Sequence, residues 1–372
     1  MSAVSKLDVV CPTAWHGQAV PERQWLIPGI LLRGTVTILS GDGGVGKSLL
    51  AQQLVTAMAL GQPFLGIAPN AEPVKSLAIF CEDSIEELHY RQDRINAHYR
   101  CAMADLGAMT LLSRVAQDNA LMTFKYDHGI ETPFYHQVEH QIRETGAELA
   151  IFDTAADTFE GNENVRIQVR QFIAAIRRLA MINNGGALVQ LHPSLSGLSN
   201  GSGMSGNTAW HNSVRGRLYL TRPKSADGEE DQQSDRRTLK LMKSNYGRMG
   251  DELRLVWRDH VFVREDDGRS TSNMVDRLDL DVAVMAGLRK LVANGALLAA
   301  DPNASSGFAN KVRKLPSCRL WTREAVFAAQ ERLIALGKIV KVEMGPPSKR
   351  RVYVRPHDMR LPGEVDVGNA GA

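Results

Sequence analysis

Long apolar runs are missing from this 372-residue chain. Stretches such as "ALLAA" fall far short of the ~20 residues that a membrane helix needs. The N-terminus also lacks the basic-then-apolar pattern of a secretory leader. No membrane partner is therefore expected, and a cytoplasmic location is the default reading. Cysteine is scarce: Cys11, Cys81, Cys101 and Cys318 are scattered without a CxxC pair. That excludes a disulfide framework and a cysteine-based zinc site, and leaves four reduced thiols. Internal repeats and long low-complexity tracts are absent too. His136 and His140 stand one helical turn apart, but with no third ligand evident they read as an exposed helix face.

With 44% hydrophobic and 23% charged residues, the composition is that of an ordinary globular protein large enough for two or three domains. The net charge of +3 hides an asymmetry. Residues 283 to 360 hold 15 Lys/Arg against 5 Asp/Glu, a local +10, and the remainder holds 29 against 36, or −7. A basic C-terminal module facing a polyanion follows from that imbalance.

Along the chain, residues 1–33 are irregular, and Trp25, Leu26 and Ile30 are positioned to pack that segment onto the body. From residue 34, short apolar runs alternate with longer helical stretches. The runs "TVTILS", "SLAIFCED", "LAIFDT" and "ALVQLH" are nearly continuous, as expected of strands buried on both faces of a parallel sheet. Later runs, "RLYLTR", "TLKLMK", "ELRLVW" and "HVFVRE", suggest antiparallel strands added at its edge. Together they predict an α/β domain over 34–265. The Gly/Ser-rich stretch after His192 predicts a mobile loop, and it lacks Lys and Arg between 193 and 214. Residues 266–280 read as a linker, 281–358 as a small basic domain, and 359–372 as a tail.

The chemistry centres on "GDGGVGKS", residues 41–48. Glycines let the chain curl with its N–H groups inward around phosphates, and the following helix N-terminus favours negative charge. Gly41, Asp42, Gly43, Gly44, Val45, Gly46 and Leu49 frame the cradle. Lys47 would reach the β- and γ-phosphates of ATP, and the Ser48 hydroxyl would coordinate Mg²⁺. Asp153, at the end of an apolar strand, is the natural second metal ligand. The residue after it is Thr154 rather than a glutamate, so the water-orienting carboxylate has to come from elsewhere. "FCED" offers Glu82 or Asp83 at the end of an earlier strand.

The ordered set "GDGGVGKS", "FCED", "LAIFDT", "LHPS", "GNTAWHNSVRGRLYL" and "KSNYG" resembles the RecA-fold ATPase family that includes the plasmid-encoded hexameric replicative helicases. The resemblance covers roughly residues 20–265. It implies a RecA-like P-loop core with a mostly parallel twisted sheet, ATP and Mg²⁺ as cofactors, and a hexameric ring around single-stranded DNA. By position it makes Glu82 the base, Asp153 the Walker B acid and His192 the sensor linking γ-phosphate to a DNA-facing loop. Arg215 would be the arginine finger offered to the neighbouring subunit, with Arg217 and Arg248 in reserve. Lys243 matches a nucleotide-contacting lysine of related ring helicases, although the arginine they carry two residues later is Asn245 here. Trp210 reads as the anchor at the loop's end.

Residues 281–356 resemble a winged helix in pattern only. "TREAVFAAQERLIALG" would be its recognition helix and 345–351 its wing, with Arg319, Arg323, Lys349, Arg350 and Arg351 on duplex DNA phosphates. The expected function is an ATP-dependent, ring-forming DNA motor of a plasmid, phage or integrated element. Two other readings stay open: an ATP-switched DNA-binding regulator without motor activity, and a filament-forming recombination mediator.

Overall fold

The structure is a computed structural model that describes residues 9–69, 72–194, 197–198, 201–205, 207–223, 231, 233–246, 250–265, 275–301, 304, 306–315, 321–346 and 350–364. The chain opens with a small hairpin, β1 (Trp25–Ile27) and β2 (Leu31–Leu32), in which Leu26 and Ile30 are buried and Trp25 is half-buried. The α/β body follows as β3 (Val36–Gly41), α1 (Lys47–Leu60), β4 (Ser76–Phe80), α2 (Ile85–Tyr99), β5 (Met109–Ser113), β6 (Met122–Lys125), β7 (His128–Glu131) and α3 (Pro133–Thr145). It continues with β8 (Leu149–Asp153), α4 (Ala155–Thr158), β9 (Phe159–Glu160), α5 (Arg166–Met181), β10 (Gly186–Leu191), α6 (Thr208–Ser213) and β11 (Gly216–Thr221). Then come β12 (Arg236–Ser244), β13 (Glu252–Arg258) and β14 (Val261–Arg264).

Among the described residues the main sheet has the order β14-β13-β12-β11-β3-β10-β8-β4-β5. From β11 to β5 every pairing is parallel, whereas β11 to β14 pair antiparallel. The expected parallel core with antiparallel edge strands is what forms. Strands β3, β4, β8 and β10 are buried at every position, which is why they read as continuous apolar runs rather than alternating ones. Alternate side chains divide the core in two. Leu39, Ala78, Phe80, Ile151 and Leu188 pack with α1 and α2, while Ile38, Ile79, Phe152 and Val189 pack with α3 and α5. A small sheet, β7-β6-β9, not expected from the apolar runs, adds Met122 and Phe159 to the second layer.

The Gly/Ser stretch read as a mobile loop is described at 194, 197–198 and 201–205. The Ser194 N–H donates to Met204 O at 2.9 Å and the Gly203 N–H to Gly197 O at 2.9 Å, so 194–204 closes on itself. Its return limb approaches the sheet: Gly203 and Ser205 are buried, Met204 is half-buried, and a Cβ at Gly203 would lie 2.5 Å from the Tyr219 ring. A glycine at 203 permits that approach.

The C-terminal unit runs α7 (Val275–Ala293), β15 (Leu298–Ala299), α8 (Phe308–Val312), α9 (Arg323–Ala335), β16 (Ile339–Met344) and β17 (Arg351–Pro356), with strand order β15-β17-β16. Helix α7 begins inside the stretch read as a linker. A core of its own, including Val284, Leu288, Phe308, Val312, Val326, Leu333 and Val354, holds the unit together.

Candidate functional site

The carboxyl ends of β3, β10, β8 and β4 lie side by side, and each delivers one part of the site. After β3 the chain curls through residues 41–46 directly into α1. Gly46 has φ +102°, and its Cα lies against the Phe262 ring, where an added Cβ would stand 2.6 Å away. Neither the backbone nor the space at that position admits a side chain. The Lys47 ammonium, folded back over the loop, donates to Gly41 O at 2.9 Å and to Asp42 O at 3.1 Å. Burial lowers its pKa against the pull of Asp153, Glu82 and Asp42.

Asp153 ends β8 and pairs in register with Phe80 of β4. It is only 3% exposed, and its Oδ1 has no hydrogen-bond partner. Burial pushes its carboxyl up to about 7, reinforced by Asp83 and Glu82 and opposed by a hydrogen bond with Ser48 and by Lys47. A buried carboxylate beside a hydroxyl, with an orphaned oxygen and its ionised form disfavoured, suits a divalent cation.

The two carboxylates that the sequence left open are separated by the structure. Asp83 is committed to an ion pair with Arg91 at 2.8 Å. Glu82 is exposed beside Asp153, and its charge acts on Lys47, Asp153 and His192. His192 follows β10, its Nδ1 3.5 Å from Lys47 Nζ. Burial and the Lys47 charge lower its pKa, so the neutral imidazole is favoured next to the ammonium.

Arg215, Arg217 and Lys243 lie elsewhere. Gly216 pairs with Thr37, at the opposite end of β3 from the phosphate loop, about 13 Å away along the strand. These residues cannot reach this chain's own Lys47 site. They form a basic cluster with His211: Lys243 Nζ donates to His211 O at 2.6 Å, and Arg217 Nη2 donates to Ser202 O at 2.7 Å. Arg217 is 5% exposed, and its Nε has no partner. Burial lowers the pKa of Lys243, as do Arg215 and Arg217. Trp210, whose role as an anchor was expected, packs at 5.5 Å on Phe159 and 6.0 Å on Phe172.

Several residues with no motif to mark them belong to the site. Gln190, two residues before His192, lies on the α1 side of β10 next to Asp153. It is fully buried, with neither amide atom paired. Behind the phosphate loop, Arg222 donates to Gly44 O at 2.6 Å and Arg237 to Val45 O at 2.9 Å. Arg222 is 8% exposed, and its Nε and Nη1 are unpartnered. Phe262 is locked to α1 by two hydrogen bonds with the Gln53 amide. The antiparallel strands thus brace the loop from outside. Gln190 and Arg222 stand out only as buried groups with unpartnered atoms, and Arg237 and Phe262 only by contacts with distant residues, neither of which is visible in a sequence.

Of the other candidates, His136 and His140 lie exposed on α3 beside Glu139 and Glu144. No group of three or more potential metal ligands occurs among the described residues. Arg248, Arg319 and Lys349 lie outside the described residues. Arg350 meets Glu343 at 3.5 Å, and Arg351 is exposed. Helix α9 does not look like a groove-reading helix: its exposed positions are Glu324, Ala328, Glu331 and Ala335, Arg323 is only half-exposed, and Arg332 turns to Asp281 at 2.6 Å. No described helix is long and apolar enough to cross a membrane.

A family model described as an AAA domain, AAA_25, matches residues 6–194. That span contains the phosphate loop, Glu82, Asp153 and His192, four elements that the sheet brings to one edge. The chain belongs to the AAA_25 family of AAA domains, a P-loop ATPase family.

Proposed function

We propose that the chain is an ATP-driven, ring-forming motor on DNA, of the kind that unwinds a plasmid, phage or integrated element for replication. ATP lies in the cradle of Gly41 to Leu49. Mg²⁺, held by Ser48 and Asp153, supplies neutralising charge at the phosphates. Lys47 binds the β- and γ-phosphates once its bonds to Gly41 O and Asp42 O exchange for phosphate oxygens. Glu82 takes the proton of the attacking water. Arg215 serves the neighbouring subunit's ATP with Arg217 and Lys243 beside it, a contribution worth about 10³ to 10⁵ in rate for an arginine supplied in trans.

One observation carries the motor reading. The loop 193–207 starts at His192, 3.5 Å from Lys47, and is gripped midway by Arg217 of the basic cluster. Such a loop is tied to its own ATP site at one end and to Arg217 of the finger cluster at Ser202. Single-stranded DNA would be held by its main-chain N–H groups and hydroxyls, since it carries no Lys or Arg. The order of elements in the C-terminal unit, three helices with a sheet ordered β15-β17-β16, supports the winged-helix reading. A strand-displacement assay on a forked duplex with Mg-ATP tests the function. Wild type should separate strands and Lys47→Ala should not; DNA binding with no displacement by either protein would favour the non-motor switch.

A further inference from the structure

Six of the fifteen Lys and Arg side chains of residues 283–360 are ion-paired within the fold. Arg289 pairs with Asp358, Arg332 with Asp281, Lys341 with Glu331, Arg350 with Glu343 and Arg355 with Glu364, at 2.6 to 3.6 Å, and Lys338 reaches Glu22 at 3.8 Å. Lys290 and Arg351 are exposed and lack an ion pair among the described residues, but each stands alone, whereas Lys311, Arg313 and Lys314 lie within four residues of one another. All three are exposed, and none has a carboxylate within ion-pair distance among the described residues. Arg313 alone feels a nearby acid, Glu324 at the start of α9, whose carboxyl it helps to hold low.

The scaffold under them is rigid. Helix α8 is pinned by Phe308, Ala309 and Val312, each 0% exposed, and a Cβ on Gly287 of α7 would touch Leu315 and Val312. Lys311 lies in α8 and Arg313 and Lys314 in the turn that follows it, so the three cations leave the surface within four consecutive residues. Duplex DNA presents one negative charge per about 1.7 Å of axis, so such a cluster can meet two or three phosphates at once. The adjacent exposed face of α9 carries Glu324 and Glu331 and would be repelled from a groove floor. That combination fits a grip on the backbone without base reading.

We propose that Lys311, Arg313 and Lys314 form a phosphate-gripping edge through which the C-terminal unit holds duplex DNA. The proposal rests on the reading of the chain as a DNA-acting ATPase. Its binding test uses no ATP, so that the two can fail separately.

The test is fluorescence anisotropy of the full chain on a labelled mixed-sequence duplex of about 25 base pairs, without nucleotide, across a salt series. Each lost phosphate contact should flatten the slope of log affinity against log salt by about 0.9. The triple variant Lys311→Ala, Arg313→Ala, Lys314→Ala should therefore lose about 2.7 of slope and bind several hundred-fold more weakly near 0.1 M salt. The charge-keeping triple Lys311→Arg, Arg313→Lys, Lys314→Arg should keep both. Lys341→Ala, which removes a paired cation, should change little. An unchanged slope in the alanine triple overturns the proposal, as does an equal loss in Lys341→Ala; the first result would leave an acidic protein as the partner of this face. ATP hydrolysis stimulated by single-stranded DNA should stay at the wild-type level in the alanine triple. Its loss would place these cations in the channel and also overturn the assignment.

Discussion

Gln190 is the residue whose replacement says most about how the site trades stability for chemistry. Its side chain is 0% exposed, and both amide atoms lack a partner in the nucleotide-free fold. Leaving a buried donor or acceptor unsatisfied costs about 1 to 3 kcal/mol. Methionine has nearly the same volume and reach, and volume-conserving swaps are the ones cores tolerate best. Gln190→Met should therefore stabilise the nucleotide-free domain by about 2 kcal/mol. For a domain of this size that corresponds to a rise in Tm of about 4 to 8 °C, read by a thermal melt in EDTA. The same change removes the amide that stands beside Asp153, where it can orient a water. Hydrolysis should drop about tenfold, the worth of roughly 1.4 kcal/mol. Falling or unchanged Tm would refute the reasoning, because it would mean that a buried water already satisfies the amide.

Further outcomes follow from the same geometry. Asp153 ionises near 7 in the fold against a reference of 3.8. Below about pH 4 the carboxyl is protonated in both states and nothing is lost; between about 4 and 7 only the unfolded chain ionises, so nucleotide-free stability falls as pH rises, by about 4 kcal/mol at most. Urea unfolding in EDTA should show Asp153→Asn gaining on wild type from pH 4 to pH 8, and a constant difference would contradict the assignment. Arg222→Met should weaken ATP binding about tenfold, through loss of a charge-assisted bond to Gly44 O, while leaving the fold intact because an unpaired buried charge goes with it. Nucleotide titration checks this, and unchanged affinity would make Arg222 a bystander. Mixing Arg215→Ala with Glu82→Ala subunits should restore part of the hydrolysis that each lacks alone, whereas no rescue at any ratio would exclude a finger acting in trans.

The sheet was legible because burial on both faces leaves runs such as "LAIFDT" with no polar interruption, and the phosphate loop because its glycines and lysine sit at fixed spacing. Asp153 and Glu82 could be placed because each ends such a run. What escaped depends on contacts between distant parts of the chain. Arg222 and Arg237 meet the loop across 178 and 192 residues, and Phe262 meets Gln53 across 209. In the loop after His192, the close approach of Gly203 to Tyr219 could not be foreseen, because a glycine in a sequence signals freedom and small size alike. Of the fifteen C-terminal cations six are ion-paired, and a cluster of three exposed ones stands at and just after the end of α8, a partition that a count of charges does not show.

The central claim, that ATP hydrolysis here is a property of an assembly working on DNA, is tested most directly by ATPase rate and native mass measured in one buffer, with and without single-stranded DNA. The account predicts a multimer, a hexamer in the favoured form, whose hydrolysis rises when DNA is added and vanishes in Lys47→Ala. A monomer that hydrolyses ATP at the same rate with and without DNA would contradict it.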